Sequence, residues 1–127
     1  MTSKLHHIAL EYSKIEDARI FFKEILGLEE VKSFTLSAEL SHNIFSLNHD
    51  VDVVVFADDQ LYVEVFLTSR QKPSSYEHIC LIVENTKELF HRCHHQKLTI
   101  LQVAKGEKNL MFIRDPAGYL YEIKQRQ

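Results

Sequence analysis

The apolar positions of this chain change period in a fixed order, and they do so twice. LHHIAL (residues 5–10) has the short alternating run of a strand, and SKIEDARIFFKEILG (13–27) then places Ile15, Ala18, Ile20, Phe22, Ile25 and Leu26 at roughly helical spacing. Ser13 and Glu16 stand at capping-box spacing, and Gly27 suits the left-handed position that ends a helix. YEHICL (76–81) repeats the strand. NTKELFHRCHHQKL (85–98) repeats the helix, with Asn85 or Thr86 as cap and Leu89, Phe90 and Cys93 on one face.

Each helix is followed by three segments rich in β-branched and aromatic residues. In the first half these are EVKSFTL (30–36), VDVVVFA (51–57) and QLYVEVFL (60–67), the last two joined by a tight turn at Asp58 and Asp59. In the second they are LTILQVA (98–104), NLMFIR (109–114) and YLYEIKQ (119–125), with Asp115, Pro116, Ala117 and Gly118 as the turn before the last strand. The chain therefore reads β-α-β-β-β twice: one α+β domain over 1–127, with module one about 1–71 and module two about 75–127. Lys72, Pro73, Ser74 and Ser75 serve as the linker. Residues 38–50 fit this plan least and either extend the second strand or form a loop.

Superposing the halves aligns His7 with His78 and Glu64 with Glu122. Side chains alternate across a strand, so His7, Ala9 and Glu11 oppose Ile8 and Leu10, and Glu64 opposes Val63 and Val65. In module two His78, Cys80 and Ile82 oppose Ile79 and Leu81, while Glu122 opposes Tyr121 and Ile123. If the aliphatic sides pack under the helices, histidines and glutamates line the concave side. Two carboxylates in a partly closed cavity repel one another and cost several kcal/mol without a cation. A divalent metal resolves this, because two imidazoles and two carboxylates form an N2O2 set suited to borderline ions. Nickel, cobalt, zinc, iron and manganese all suit these ligand types, and the four residues alone do not choose among them. His6 rivals His7, and the match of His7-Ile-Ala-Leu to His78-Ile-Cys-Leu decides for His7. His91 and His95, spaced i, i+4, have metal-binding spacing on the second helix but lie in a polar context. His42, His49 and His94 have no constellation and read as surface residues.

Composition narrows the classes of partner. Net charge is −3, spread in small mixed groups without a basic stripe, which argues against nucleic acid. No apolar run approaches the roughly 20 residues that span a bilayer, and MTSKLHH lacks the apolar core of a signal peptide, so the expected location is the cytoplasm. Cys80 and Cys93 are too sparse for a disulfide framework and read as reduced thiols.

The doubled plan, with its most specific stretches KLHHIAL, FFKEILGL, LYVEVF, YEHICLIV and FIRDPAGYLYEIKQ, resembles the vicinal oxygen chelate superfamily over almost the whole chain. That resemblance implies two βαβββ modules forming a curved, incomplete eight-stranded barrel around a metal cleft, with nickel, cobalt or zinc as the leading ions ahead of manganese and iron. Its metal positions fall on His7, Glu64, His78 and Glu122, a complete set most like bacterial glyoxalase I (lactoylglutathione lyase-like). It implies a metal-dependent lyase or isomerase acting on a small carbonyl substrate through an enediolate or enolate, with Glu122 as the first candidate for the base and Glu64 the second. Glutathione-using members tend to carry arginine where this chain has Glu11, and often asparagine where it has Thr68, which argues against strict glutathione dependence. The alternatives are a non-catalytic small-molecule binding or resistance protein, and epimerase-like or dioxygenase activity. The epimerase usually has glutamine at the position of Glu64. Dioxygenases and fosfomycin enzymes use three protein ligands, so Glu64 argues against them. Glu11, Tyr62, Phe66, Cys80, Phe112 and Leu120 are the candidate substrate contacts, forming an apolar wall around a few polar groups. Family members of this size are often homodimers, in some of which each site draws ligands from both chains.

Overall fold

In the computed structural model, which describes residues 1–70 and 73–127, the β-α-β-β-β order predicted from the sequence is present twice. Module one runs β1 (Ile8–Tyr12), α1 (Ile15–Ala18) continuing as a π-helical segment (Arg19–Ile25), β2 (Glu29–Leu36), α2 (Ala38–Phe45), β3 (Val51–Ala57) and β4 (Tyr62–Leu67). Module two runs β5 (Ile79–Val83), α3 (Thr86–His95), β6 (Thr99–Lys105), β7 (Lys108–Arg114) and β8 (Leu120–Gln125). The two sheets have the same internal order, β1-β4-β3-β2 and β5-β8-β7-β6. First and last strands pair in parallel and the others antiparallel. Among the described residues the sheets remain separate, each of four strands, and no barrel closes. Of the expected linker, Lys72 lies outside the described residues. Residues 38–50 depart from the plan: they hold a helix where a strand extension or loop was expected. No helix among the described residues is long and apolar enough to cross a membrane.

Alternation decides which face of each sheet packs under the helices, although β3 is buried on both, with Val53 and Val55 on the face of Glu64. Val54, Phe56, Val63 and Val65 from module one and Ile113, Tyr121 and Ile123 from module two join Phe21, Phe22, Ile25, Leu89 and Cys93 of the helices in one core. In the first helix the Leu26 amide donates to the Phe21 carbonyl at 3.0 Å, a five-residue step. The widened turn lets the adjacent Phe21 and Phe22 both bury completely. Phe21 stacks on Tyr121 of β8, with centroids 4.2 Å apart, so the helix of module one also packs on the sheet of module two. Arg92 on α3 donates from Nη1 to the Ile25 carbonyl at 3.0 Å, satisfying an acceptor at the end of the π-helical segment. Gly27 takes the left-handed conformation (φ 76°) as the sequence predicts. The capping box does not form: Lys14 occupies the cap position without a side-chain bond, because the helix starts one residue later than Ser13 requires. Asn85 caps α3, accepting from the Glu88 amide at 3.1 Å.

A buried carboxylate ties the modules together. Asp115, 4% exposed, accepts from the hydroxyl of Tyr12 at the end of β1 and lies 3.3 Å from the Tyr121 hydroxyl. Its other oxygen accepts from the amides of Ala117 (3.0 Å) and Tyr119 (2.9 Å), closing the turn before β8. Tyr119 then reaches back to β1: its hydroxyl donates to the Glu11 carbonyl at 2.8 Å and accepts from the Glu11 amide at 3.0 Å. Desolvation holds the Asp115 pKa above the ordinary 3.8, against the pull of the bonds from Tyr12 and the turn amides. The Tyr12 and Tyr121 hydroxyls are pushed up by burial, so both stay protonated donors.

Asp115→Ala orphans buried donors and is expected to cost about 3 kcal/mol in chemical denaturation, whereas Asp115→Asn retains one acceptor and costs less. The native state holds the Asp115 proton more tightly than the unfolded chain does. The stability linked to that proton is therefore complete below pH 3.8 and is lost as pH rises through the raised native value. Denaturation of wild type and Asp115→Asn in parallel should show wild type losing ground over that window; a gain would reverse the assigned sign.

Candidate metal centre and its cavity

The parallel pairing of first and last strands sets each histidine beside a glutamate. Ala9 pairs with Glu64 and Cys80 with Glu122, while His7 and His78 sit just ahead of β1 and β5. His7 Nε2 lies 3.5 Å from Glu64 Oε1, and His78 Nε2 lies 3.4 Å from Glu122 Oε1. With a proton on Nδ1, His78 donates to the Tyr76 carbonyl at 3.0 Å and leaves the Nε2 lone pair free. His7 Nδ1 lies 2.8 Å from His6 Nδ1. His6 thus stands behind His7 rather than opposite a glutamate, and the rings of both lie against Tyr62.

Adjacent ligands of a divalent ion with bonds of about 2.1 Å lie roughly 3.0–3.4 Å apart, so His78 and Glu122 stand at the upper end of that spacing and His7 and Glu64 just beyond it. Nitrogen and carboxylate oxygen are donors that suit borderline ions, but the four-ligand set that the sequence predicts does not assemble among the described residues of one chain. The pairs stay apart within the chain: among the described residues no three His, Cys, Asp or Glu side chains gather in a group that could hold a metal. His91 and His95 are exposed on α3 and join no such group.

The predicted substrate contacts divide in the same way. Glu11 pairs with Phe66, and Tyr62 stands two residues before Glu64, which puts all three on the concave face of the first sheet. Cys80, Phe112 and Leu120 share the face of Glu122 in the second. Lys124 Nζ lies 3.8 Å from Glu122 Oε2. Burial raises the Cys80 thiol pKa, with Glu122 adding to it, so Cys80 is no ready thiolate.

Two features beyond the sequence reading enlarge this site. Arg70 donates from Nη1 to Glu11 Oε2 at 2.9 Å, a pair between residues 59 positions apart that no local pattern announces. The helix α2 stands against the concave face, where Phe45 meets Phe66 edge to face at 5.7 Å. Between them lies an open cavity of about 1120 Å³, walled by Phe45, Leu47, Val51 and Phe66 and lined also by Glu11 and Arg70. His49, read from sequence as a surface residue, is exposed and borders it. Signals for α2 were present in the chain: Ser37 accepts from the Leu40 amide at 3.2 Å, and Asp50 accepts from the Ala38 amide at 2.7 Å.

The sequence profile of the Glyoxalase/Bleomycin resistance protein/Dioxygenase superfamily matches residues 4–123. The chain belongs to this superfamily. Solved structures agree on the superfamily fold. The monoclinic form of the fosfomycin resistance protein FosX from Listeria monocytogenes at pH 6.5 superposes with a TM-score of 0.75 at 20% identity, covering 98% of this chain and 94% of that one. A glyoxalase family protein from Bacillus cereus gives 0.76 at 15% identity, covering 98% and 95%. The Listeria FosX complexed with Mn(II) and sulfate ion gives 0.71 at 20% identity, covering 100% and 95%. No protein of curated function matches the sequence. In this superfamily chain, as in the sequence expectation, the fold is doubled, and each sheet carries one of the two His–Glu pairs.

Removing the α2 cap by Ser37→Ala should cost about 1 kcal/mol or less and speed amide exchange across Ala38–Phe45 while leaving β3 and β4 protected. Equal acceleration in β3 and β4 would mean that α2 is part of the core rather than a wall laid on it.

Proposed function

We propose that this chain is a metal-dependent lyase or isomerase of glyoxalase type, acting on a small carbonyl compound in a site shared by two copies. The observation that carries this reading is the pair of equivalent His–Glu half-sites, each with donors 3.4–3.5 Å apart and neither joined by a third donor among the described residues. A homodimer that lays the first sheet of one copy against the second sheet of the other brings His7 and Glu64 of one copy to the second half-site of its partner. Apolar side chains on these faces support such an assembly. Phe34, Leu101, Val103 and Ile82 share the faces of the ligand residues and are 40–69% exposed.

The FosX complex with Mn(II) supports a divalent ion in this fold, and nickel, cobalt, zinc, manganese and iron all suit the donor set. When bound, such an ion polarises a carbonyl oxygen and acidifies the neighbouring C–H. His7 and His78 would hold the ion through ring nitrogens. Glu122 takes a proton from the hydroxyl-bearing carbon beside the carbonyl and returns it to the carbonyl carbon, while the hydroxyl proton passes to the other oxygen, so that one C–H and one O–H bond break and one of each forms. Glu64, in the equivalent place, is the second candidate for that transfer. Tyr62 and Phe66 beside Glu64, and Cys80, Phe112 and Leu120 beside Glu122, confine the substrate and exclude water from the reacting carbons.

Elemental analysis of untagged protein should find about one metal per chain, lost in His7→Ala and in Glu122→Ala. Refolding His7→Ala together with His78→Ala separates shared from private sites. In a shared arrangement the mixed dimer regains one intact site, and metal binding returns to roughly half that of wild type in the mixed species. No recovery in mixed dimers isolated by differential tagging would overturn the shared site. Absence of binding by wild type to any of these ions would overturn the metal reading itself.

A further inference from the structure

We infer that the cavity between α2 and the first sheet is a binding subsite for an apolar amine, with Glu11 as the anchor for its ammonium group. The use of this subsite for the non-reacting end of the substrate rests on the function proposed above; the binding itself does not. Three observations carry the inference. First, Phe45, Leu47, Val51 and Phe66 give the cavity apolar walls, and the charged residues Glu11 and Arg70 on its lining are paired with each other. Second, the hydroxyl of Ser41, a residue 1% exposed on α2, borders the cavity and has no hydrogen-bond partner among the described residues. A buried hydroxyl without a partner costs free energy that a ligand's polar atom would recover.

The third observation decides the sign of the ligand's charge. Glu11 is the fixed member of its ion pair: its side chain is 31% exposed, and its backbone amide and carbonyl are both held by the Tyr119 hydroxyl. Arg70 is 69% exposed and reaches Glu11 from the rim. An ammonium ligand displaces Arg70 into water at little cost, because exposed ion pairs contribute about 1 kcal/mol or less. An anionic ligand would have to draw Arg70 away and leave the half-buried carboxylate of Glu11 unpaired beside a second negative charge. Arg70 therefore acts as an internal stand-in for the cation that the cavity accepts. The ligand class is an amine with an aliphatic or aromatic body, bearing a group able to hydrogen-bond to Ser41.

The test is a titration of metal-free protein, kept in chelator, with hexylammonium, hexanoate and hexanol, read by heteronuclear chemical shifts or calorimetry. Hexylammonium should bind about tenfold more tightly than hexanoate. Glu11→Gln should abolish that preference. Arg70→Gln, which removes the competitor, should tighten hexylammonium binding about threefold; a merely structural ion pair would give weaker binding or none. Circular dichroism confirms that both variants fold. Hexanoate binding as tightly as hexylammonium, or a Glu11→Gln variant that keeps the preference, overturns the inference. Because no metal is present, failure here leaves the metal site untouched, and failure of metal loading leaves this result intact.

Discussion

The Asp115 carboxylate is the contact on which the relation of the two modules depends. It joins the end of β1, through Tyr12, to the turn that launches β8, and those two strands carry or adjoin residues of both half-sites. A carboxylate at 4% exposure is costly unless every oxygen is satisfied, and here four donors converge on it. The same turn supplies Tyr119, whose hydroxyl grips both backbone groups of Glu11. The position of a cavity residue in module one is thus set by a turn in module two. The stack of Phe21 on Tyr121 adds an apolar contact across the same boundary, so the polar clasp is enclosed in the shared core.

Most of the fold was legible because two periods recur in one order. A strand that buries one face must alternate, and a helix that buries one stripe must repeat near 3.6 residues, so Ile8 and Leu10, or Val63 and Val65, announce the side that faces the helices. Once that side is assigned, His7, Glu64, His78 and Glu122 fall on the opposite one by parity alone. Parity has a limit, too. It says which face a residue occupies, not which second face it meets, and the pairs His7–Glu64 and His78–Glu122 lie on different sheets. The pair of Glu11 with Arg70 was invisible for a related reason: it is a tertiary contact between a strand residue and one beyond the end of β4, with no periodicity to betray it.

Local signals failed where they competed. Ser13 and Glu16 satisfied the capping-box spacing, yet the chain begins its helix after Lys14 and widens it into a π-helical segment so that Phe21 and Phe22 can both reach the core. Burial of two aromatic side chains, at roughly 2–3 kcal/mol each, outweighs a cap worth about 1 kcal/mol. Residues 38–50 carried a sound cap at Ser37 and an apolar spacing at Leu40 and Ile44, but the strand-like segments on either side obscured it. The resulting helix is set by its contacts with the sheet, Phe45 on Phe66 above all.

That helix is also where the internal repeat is broken, and the break has a functional logic. The connection between β2 and β3 holds α2, whereas the equivalent connection between β6 and β7 is two residues, Gly106 and Glu107, with Gly106 in the left-handed conformation. The concave faces differ in step. Glu11 and Phe66 are paired in module one where Ile82 and Lys124 are paired in module two. The His–Glu geometry itself is nearly the same in both halves, 3.5 against 3.4 Å. A constraint from metal coordination would preserve just that geometry in both copies of the repeat, since a ligand cannot move without losing the ion. Selection for a particular substrate acts on the surroundings, and only one half needs to gain a wall. Module one has the walled cavity and a fixed carboxylate, while in module two a lysine stands beside the glutamate. In a shared site these unlike faces would meet across one ion, giving the substrate a walled side that selects its body.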